Sequence, residues 1–328
     1  MRVLVTGAGG FLGRHVTQCL LDHGHTVRAI IRPSSVVPEW KGEVEVFRAD
    51  LRVSDELSSA FQGIDVLLHL AAATSGSEDM QFASTVVATE RLLCAMTNSS
   101  VKRLIHVSSL VVYDWARAKR IMDENIPTLS KPYEMGGYTI AKVWQERVVM
   151  KFAKANAWDL TIVRPGFIWG QQHAEIAGMG RHFGSVYIMF GPLTRLPLCH
   201  VLNCAHCLLV TVENSTAIGQ IFNLVDSDEI RVWRYLSEYV RGTKKRGFLL
   251  PVPYIVAYGF SRLALATSNA LFGKKAKLPS LLTPRRFEAQ FKPIRFSNRK
   301  LRQILAWEPP LTFDQCLTLT YGSKSKVR

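Results

Sequence analysis

The chain has 328 residues, which is enough for one large domain or two smaller ones around a core that can support a deep site. Its composition, 48% apolar and 20% charged, excludes long disordered stretches. The net charge of +15 comes from the last third, because residues 231–328 carry 20 Lys and Arg against 4 Asp and Glu, whereas residues 1–230 carry 21 against 22. This asymmetry indicates either an anionic partner (a membrane surface, a phosphorylated ligand or nucleic acid) or a solvated basic face.

Short apolar, β-branched runs alternate with helical patterns over the first 165 residues. This alternation predicts an α/β fold with a Rossmann-type, doubly wound parallel sheet, since strands buried on both faces need helical connections. The predicted strands are Arg2–Thr6, Thr26–Ile31, Val44–Phe47, Val66–Leu70, Arg103–Val107 and Leu160–Val163. The predicted helices are Leu12–Asp22, Asp55–Gln62, Thr85–Thr97 and Tyr138–Ala155.

The beginning of the chain and the cysteines bear on its compartment. The first strand begins at Arg2 without the basic and apolar pattern of an export signal ahead of it. The six cysteines follow no disulfide framework, which is typical of reduced thiols, so we expect a cytoplasmic protein. Cys204 and Cys207 form a single Cys-x-x-Cys without a second pair, so we expect no metal site.

A glycine-rich turn joins the first strand to the first helix. Gly7, Gly10 and Gly13 give the spacing Gly-x-x-Gly-x-x-Gly, in which glycine permits a tight turn and a close approach to a pyrophosphate. The N–H groups at the start of the helix, at Phe11 and Leu12, would then meet the phosphates. Placed between a strand and a helix at the start of the chain, this turn predicts a dinucleotide site.

The end of the second strand bears on the choice of cofactor. An acidic residue commonly holds the adenosine ribose there, but the residues from Val27 to Arg32 include none. Arg32 suits a 2′-phosphate through paired N–H bonds, so we expect NADP in preference to NAD. The alternative is that Arg32 faces solvent and either cofactor is accepted.

Tyr138 and Lys142 are four residues apart on a predicted helix and therefore share a face. An ammonium beside the phenol would lower the pKa of Tyr138 towards neutrality. The phenol could then exchange a proton with a substrate oxygen while hydride moves to or from a nicotinamide. Ser109, just past the fifth predicted strand, would hydrogen-bond the reacting carbonyl or, alternatively, cap the next segment.

Together these motifs resemble the extended short-chain dehydrogenase/reductase family, the NAD(P)-dependent epimerase/dehydratase superfamily, over nearly the whole chain. The matching pieces are Thr6–Gly13, Asp50-Leu51, His69–Ala72, Val107–Ser109 with Tyr113, Tyr138–Lys142 and Arg164–Gly166. The resemblance implies a catalytic set of Ser109, Tyr138 and Lys142, with Tyr138 and Lys142 also contacting the cofactor. It further implies cofactor contacts from Asp50, Leu51, Leu70, Ala71, Ala72 and Pro165.

Within this family, three stretches look most like the 3β-hydroxysteroid dehydrogenase-like branch. They are Gly10–His15, His200–Ala205 and Leu305–Pro310. The run from Val27 to Arg32 also resembles plant-type dihydroflavonol reductases, which use NADP. Thr85 departs from the family pattern, because these proteins often carry there an asparagine that helps a proton relay.

After Gly166 the alternation of strands and helices stops. We therefore divide the chain into an NAD(P)-binding domain, residues 1–165, and a smaller, mostly helical substrate-binding region, residues 166–328. One strand near 220–225 is expected to return to the main sheet.

Residues Phe248–Phe272 are almost entirely apolar, with Arg262 as their only charge, and lie between the basic runs 244–246 and 274–277. A central charge argues against a membrane-spanning helix. The segment instead predicts a pair of short helices that contact an anionic membrane surface through residues 244–277, or a lid over the substrate pocket.

These patterns predict an enzyme, an NAD(P)-dependent dehydrogenase or reductase that interconverts a secondary alcohol and a ketone on a hydrophobic, sterol- or lipid-like substrate. A nucleotide-sugar epimerase or dehydratase with the same catalytic set is the alternative. Two residues argue against this alternative. Asn203 replaces the last aspartate of the Arg-x-Phe-x-x-Val-Asp-Asp pattern of such enzymes, and Arg195 lies one position away from the place of the arginine in that pattern. A non-catalytic, redox-sensing binding protein is a third reading. We expect no nucleic-acid partner, and the sequence leaves a homodimer and peripheral membrane attachment open.

Overall fold

The computed structural model describes residues 1–245, 247–273 and 278–322. Its strands, in chain order, are β1 (Arg2–Thr6), β2 (Thr26–Ile31), β3 (Val44–Arg48), β4 (Val66–His69), β5 (Arg103–Val107), β6 (Ile121–Met122), β7 (Asp159–Pro165), β8 (Phe167–Trp169), β9 (Arg181–Phe183), β10 (Val186–Phe190), β11 (Leu198–His200), β12 (Ile221–Leu224), β13 (Phe248–Val252) and β14 (Arg295–Phe296). Its helices are α1 (Phe11–Asp22), α2 (Glu78–Phe82), α3 (Ala88–Thr97), α4 (Gly137–Ala155), α5 (Val201–Glu213), α6 (Val232–Gly242), α7 (Tyr254–Phe272), α8 (Pro284–Phe291), α9 (Arg299–Leu305) and α10 (Phe313–Tyr321).

Seven parallel strands form the central sheet, in the order β12-β7-β5-β4-β1-β2-β3. From β1 the chain first moves to β2 and β3 on one side and then to β4, β5 and β7 on the other. The strand order therefore reverses between β1 and β4, and in such sheets the crevice at the carboxyl ends of these strands is the usual place for a ligand.

Apolar residues cover both faces of the sheet, as buried parallel strands require. One hydrophobic cluster packs α1 and α5 against one face, and it includes Val3, Val5 and Leu208. The other cluster packs α3 and α4 against the opposite face around Leu4 and Leu67. The sheet is thus held rigidly between two layers, and its carboxyl edge is left to carry polar groups.

The six strands predicted in the first half are present, with ends that differ by at most two residues. The strand predicted near 220–225 is β12, and it pairs with β7 in the main sheet, so this prediction is confirmed. Two predicted helices differ in kind. Residues Glu56–Phe61 form a 3₁₀ helix, and Ala83–Val87 form a π-helical turn before α3.

The second half contains more strands than the sequence predicted. A three-stranded sheet has the order β13-β10-β9, and β11 pairs with β8. These strands are short, three to five residues each, so their apolar alternation is too brief to separate from a loop.

The apolar segment Phe248–Phe272 is one strand followed by one long helix, which corrects the predicted pair of short helices. Pro251 lies in β13 at the edge of its sheet, where a missing N–H is tolerated, and Pro253 is the N-cap of α7. Gly259 lies within α7 and does not end it. Of the flanking basic runs, residues 246 and 274–277 lie outside the described residues. No helix in the described part of the chain is both long and apolar enough to cross a membrane.

Candidate active site

The glycine turn lies at the carboxyl end of β1, where the strand order reverses. Gly7 has a positive φ of 71°, and a Cβ at this position would come within 2.9 Å of the backbone nitrogen of Ala71. A Cβ at Gly13 would lie 2.1 Å from the carbonyl oxygen of Gly7. Only glycine fits at either position, so the turn closes tightly onto α1 and onto the segment that follows β4.

The start of α1 is suited to a dinucleotide phosphate. Gly10 caps the helix without a side-chain hydrogen bond, and the first turn contains no acidic residue. The N–H groups of Phe11 and Leu12 therefore point out of the helix end together with the positive end of its dipole. This cradle fits the pyrophosphate of a nicotinamide dinucleotide.

The segment after β4 lies beside this turn. The N–H of Leu70 donates to the carbonyl of Thr6 at 3.3 Å, and the N–H of Ala71 donates to the hydroxyl of Thr6, also at 3.3 Å. Leu70, Ala71 and Ala72 are all partly accessible. Pro165 ends β7 on the same carboxyl edge and is buried. The four residues that the resemblance assigned to the wall of the cofactor site thus lie at one edge of the sheet.

β2 contains Arg28, and Arg32, the predicted cofactor contact, follows directly after the strand; the structure places the two side chains in different surroundings. Arg28 is buried, and its guanidinium donates to the carbonyl of Ala60 at 2.7 Å and pairs with Glu45 at 2.8 Å. Arg32 is exposed, and Arg48 donates to its carbonyl at 3.1 Å, which anchors the loop while the Arg32 side chain stays accessible. Arg32 is therefore the arginine that can meet a ligand.

Asp50 and Leu51 follow β3 near this loop. Asp50 forms a bidentate pair with Arg52, with its closest contact at 2.7 Å, and hydrogen bonds from Arg52 lower the pKa of its carboxyl group. Arg52 thereby neutralises the charge of this carboxylate. Leu51 is buried.

Ser109 and Tyr138 come together where β5 ends and α4 begins. Hydrogen bonding with Ser109 lowers the pKa of Tyr138, but burial raises it more, and the net shift is upward. The Ser109 oxygen also accepts from the N–H of Val111 at 3.3 Å, so this residue caps the next turn. The neighbouring Ser108 is buried, and its hydroxyl has no partner among the described residues.

Lys142 is buried behind this pair and points into the protein. Its ammonium donates to the carbonyl of Val107 at 2.8 Å and to the side-chain oxygen of Gln145 at 2.6 Å. Burial lowers the pKa of Lys142 to about 7, against an opposing effect of Glu146. The expectation that Lys142 lowers the pKa of Tyr138 towards neutrality is therefore wrong for this arrangement, because Ser109 is the side chain that lowers it and burial outweighs that effect.

Gln145 is a site residue that sequence reasoning missed. Its amide nitrogen donates to the carbonyl of Ala71 and to the hydroxyl of Thr89, both at 2.9 Å, while its oxygen accepts from Lys142. Gln145 thus links the lysine to the segment that borders the glycine turn. The signal was available, because Gln145 lies three residues after Lys142 and therefore on the same helix face.

His69 completes a buried polar network beneath the site. Its Nδ1 lies 2.7 Å from the hydroxyl of Thr6, and its Nε2 lies 2.8 Å from the hydroxyl of Thr89. Burial and the nearby Lys142 lower the pKa of His69 to about 3, so the ring is neutral at physiological pH. Thr85, which stands where the family often has asparagine, accepts from the N–H of Ala73 at 3.0 Å and makes no direct contact with Lys142.

A buried ion pair supports the far side of α4. Glu146 accepts from the Nε of Arg164 at 3.0 Å, and both side chains are almost fully buried. The guanidinium of Arg164 also lies over the ring of Tyr113, 4.6 Å from its centroid. Arg164 thereby ties α4 to β7 and to the segment that follows Ser109.

An aromatic cluster from the second half of the chain lies next to the segment that precedes α4. Phe190 packs against Phe287 and Phe291, with ring centroids 5.5 and 5.0 Å apart, and Tyr254 packs on Phe287 at 5.7 Å. Arg286 of α8 donates to the carbonyls of Glu134 and Met135, a few residues before Tyr138. The cluster is therefore attached to the same segment that leads into α4.

The Cys-x-x-Cys stretch is part of the core. Cys204 and Cys207 lie in the hydrophobic cluster around α1 and α5, and His206 lies 3.1 Å from the indole nitrogen of Trp307. Within residues 1–245, 247–273 and 278–322, no three His, Cys, Asp or Glu side chains are grouped as metal ligands.

Comparison with known proteins agrees with this geometry. Residues 3–224 match the profile of the NAD dependent epimerase/dehydratase family. The chain is 29% identical to a "3 beta-hydroxysteroid dehydrogenase/Delta 5-->4-isomerase" of Mycobacterium tuberculosis, over 97% of this chain and 88% of that protein. It is 24% identical to the mouse "Sterol-4-alpha-carboxylate 3-dehydrogenase, decarboxylating", over 99% of this chain and 91% of the other.

Among solved structures, the fold is similar to that of a UDP-glucuronic acid 4-epimerase from Bacillus cereus in complex with NAD. The TM-score is 0.71 at 18% identity, covering 98% of this chain and 95% of that chain. At this level of identity the likeness establishes the fold alone.

Proposed function

The chain belongs to the NAD dependent epimerase/dehydratase family, and on this premise we propose that it interconverts a secondary alcohol and a ketone on a hydrophobic, sterol- or lipid-like substrate. It is a nicotinamide-dependent enzyme of the dehydrogenase/reductase type. The observation that carries the proposal is the tight glycine turn at the carboxyl edge of the sheet together with Tyr138 and the buried Lys142 on α4, where Ser109 lowers the pKa of Tyr138. A bound nicotinamide would supply or accept the hydride there.

Tyr138 would exchange the proton with the substrate oxygen. Its raised pKa keeps the phenol protonated at neutral pH, which is the form that donates to a ketone oxygen during reduction. Ser109 would hold the same oxygen through its hydroxyl group. In the oxidation direction the phenol must first lose its proton, and hydrogen bonding from Ser109 stabilises the resulting phenolate.

Lys142 and Gln145 would position this pair. The lysine contacts both the end of β5, at Val107, and Gln145, which in turn contacts Ala71. A pKa of about 7 means that the lysine carries its charge below neutral pH and loses it above. Binding of a ribose hydroxyl beside Lys142, as the family resemblance implies, would add a polar partner for the ammonium.

Two features support a hydrophobic substrate. The aromatic cluster of Phe190, Phe287 and Phe291 adjoins the segment leading to Tyr138. The two relatives described above also carry names of sterol and steroid dehydrogenases, and the chain covers most of their lengths.

The nucleotide-sugar alternative lacks its expected recognition residues. Asn203 is fully buried and donates to Asp226 and to the carbonyl of Leu311. Arg195 pairs with Glu229 at 2.6 Å. Both side chains thus have partners within the protein, and each would have to leave its partner to contact the nucleoside diphosphate of a nucleotide sugar.

NADP is proposed in preference to NAD. Arg32 is exposed at the end of β2 and can form paired hydrogen bonds to a 2′-phosphate, and Arg52 neutralises the only carboxylate of the Asp50 turn. The family description names NAD, so the preference rests on these arginines.

The decisive experiment supplies the purified protein with NADP or NADPH and a panel of sterol, lipid and nucleotide-sugar alcohols and ketones. We expect turnover of hydrophobic substrates, and a loss of about 10²–10⁴-fold in kcat for Tyr138→Phe. Tyr133→Phe is the matched control, since Tyr133 is an exposed tyrosine in the same segment, and it should keep full activity. Cofactor that co-purifies without net turnover, together with conversion of a nucleotide sugar, would establish the alternative function instead.

A further inference from the structure

The outer face of α7 is an exposed apolar surface. We define the α7 face as Ile255, Val256, Phe260, Leu263 and Leu271, whose side chains are between 61% and 81% exposed. Exposed apolar residues occur singly on most proteins, but a contiguous set along one helix indicates an interaction surface. The edge strand β13 extends it, because Phe248 and Leu250 are exposed as well.

The opposite side of α7 is already occupied. Tyr254 and Tyr258 stack on each other and pack against Phe287 of α8, and Ser261 is buried. The helix is therefore held in place by its inner side, and the α7 face makes no contribution to the core of the described residues. Its exposure is a fixed property of the fold.

The charge around the α7 face is strongly positive. No Asp or Glu occurs between residues 239 and 287, and residues 231–328 carry an excess of 16 positive charges. Arg262, on α7 itself, is exposed and forms no ion pair with any residue in the described ranges. Lys244 is exposed just before β13, whereas its neighbour Lys245 pairs with Glu175 at 3.8 Å. An apolar stripe with cationic side chains around it is complementary to an anionic surface that has an apolar interior.

We propose that the α7 face docks flat on an anionic lipid bilayer. The apolar side chains would enter the boundary between head groups and acyl chains, and Arg262 and its basic neighbours would meet the lipid phosphates. A second copy of the chain fits this surface less well, because it would bring the same positive charge against itself. A 19-residue helix that carries Arg262 at its middle lies in the interface and does not span the bilayer.

This docking places the membrane beside the active site. α8 packs on the inner side of α7, and through Arg286 it contacts the carbonyls of Glu134 and Met135, close to Tyr138. A substrate dissolved in the bilayer would then enter next to the aromatic cluster. This consequence for the substrate rests on the proposed function, whereas the docking itself does not.

The test measures co-sedimentation of the full chain with vesicles, without substrate or cofactor. The vesicles contain phosphatidylcholine alone or phosphatidylcholine mixed with phosphatidylglycerol, at low and at high salt. We expect binding to the anionic vesicles to be at least about tenfold tighter than to the neutral ones, and to weaken at high salt because the charges are screened. Sedimentation in the absence of lipid reports the oligomeric state in parallel.

Variants assign the binding to the helix. Phe260→Asp/Leu263→Asp should reduce binding to anionic vesicles at least about tenfold. The matched control, Met150→Asp/Leu319→Asp, introduces the same charges at exposed apolar positions on α4 and α10 and should bind much more tightly than the α7 variant. Circular dichroism establishes that each variant is folded.

Three outcomes would overturn the proposal. The wild-type protein could fail to bind anionic vesicles, or the α7 variant could bind as tightly as the matched control. Alternatively, the protein could form a dimer that Phe260→Asp/Leu263→Asp dissociates and that excludes vesicles, in which case the occupant is a second copy. Activity towards a detergent-solubilised alcohol is measured separately, so a failure of docking and a failure of the proposed chemistry are distinguishable.

Discussion

The carboxyl edge of the main sheet and the α7 face depart from the usual arrangement of a globular protein in opposite directions. At the sheet edge, polar groups such as Lys142, Gln145 and His69 are buried, and each is held by hydrogen bonds. At the α7 face, apolar groups such as Ile255 and Leu263 are exposed. Burial of a charged group and exposure of an apolar surface both carry a free-energy cost, so each marks a place where function determines the structure.

The two regions also differ in what completes them. Partners within the protein satisfy most of the polar groups in the buried network, although the side chains of Ser108 and His106 have none among the described residues. The α7 face has no such partner among the described residues. The first region is therefore sensitive to small internal changes, and the second is sensitive to its surroundings.

Neutralising one partner of a buried ion pair should be far more damaging than neutralising one partner of an exposed pair. Glu146→Gln leaves the buried Arg164 without its counter-charge, and we expect the free energy of unfolding to fall by about 3–5 kcal/mol. Asp314→Asn removes a carboxylate from the exposed pair with Arg234 and should cause little or no change. Urea denaturation of both variants measures the difference, and equal effects would contradict the contrast.

Replacement of glycine by alanine should change the free energy of unfolding in opposite directions at two helical glycines. Gly13→Ala places a methyl group 2.1 Å from the carbonyl oxygen of Gly7, so we expect a destabilisation of about 1–3 kcal/mol and weaker binding of NADP. Gly259→Ala adds a methyl group on the exposed side of α7 with no atom within 4 Å, and should stabilise the protein by about 0.5–1 kcal/mol. Thermal unfolding gives both values. A stabilised Gly13→Ala variant would mean that the turn is not packed as described.

Arg32 should determine the choice of cofactor. Arg32→Ala removes paired hydrogen bonds to the 2′-phosphate, so we expect NADP to bind at least about tenfold more weakly while the affinity for NAD stays unchanged. Arg117→Ala, in an exposed loop, is the control and should leave both affinities unchanged. Fluorescence titration with each cofactor is the measurement, and an equal loss for NADP and NAD would show that Arg32 does not contact the 2′-phosphate.

Two buried histidines and one buried aspartate should make the free energy of unfolding depend on pH in opposite directions. Burial lowers the pKa of His69 to about 3 and lowers that of His106, so the unfolded chain binds more protons, and the free energy of unfolding falls as the pH decreases from 6.5 towards 3. Burial raises the pKa of Asp226 to about 7, so the folded chain binds the extra proton, and this contribution falls as the pH increases from 3.8 to 7.

Variants separate these two contributions. His106→Phe should flatten the rise of stability with pH, and Asp226→Asn should make it steeper. Denaturant unfolding at a series of pH values between 3 and 7 measures the slopes. The assignment would be wrong if both variants changed the slope in the same direction.

The sequence predicted the region that is built from regular, buried elements. The apolar runs of β1, β4 and β5 and the glycine turn follow rules of periodicity and spacing, so the main sheet, the dinucleotide cradle and the proximity of Ser109 to Tyr138 could be predicted. The return of β12 to the sheet was also predictable from its apolar run. These features follow from patterns among residues that are close in sequence, which is why they were predictable.

The remaining features depend on contacts between distant segments. The direction of the Lys142 ammonium is set partly by Gln145, which is close in sequence, and partly by the carbonyl of Val107, a distant residue that no local pattern reveals. Burial raises the pKa of Tyr138 and outweighs the hydrogen bonding with Ser109, so the ordinary rule for a neighbouring ammonium gave the wrong sign. In the second half, the apolar segment satisfied the patterns of both strand and helix, and only the positions of Pro251 and Pro253 separate β13 from α7.

Whether Tyr138 exchanges the proton with help from Ser109 can be read from the pH dependence of kcat for alcohol oxidation. In the wild type, kcat should rise with pH as the phenol loses its proton. In Ser109→Ala, kcat should be lower and the apparent pKa of the profile should move upward, because the phenolate has lost its hydrogen-bond donor. An apparent pKa that is the same in the two proteins would contradict the account.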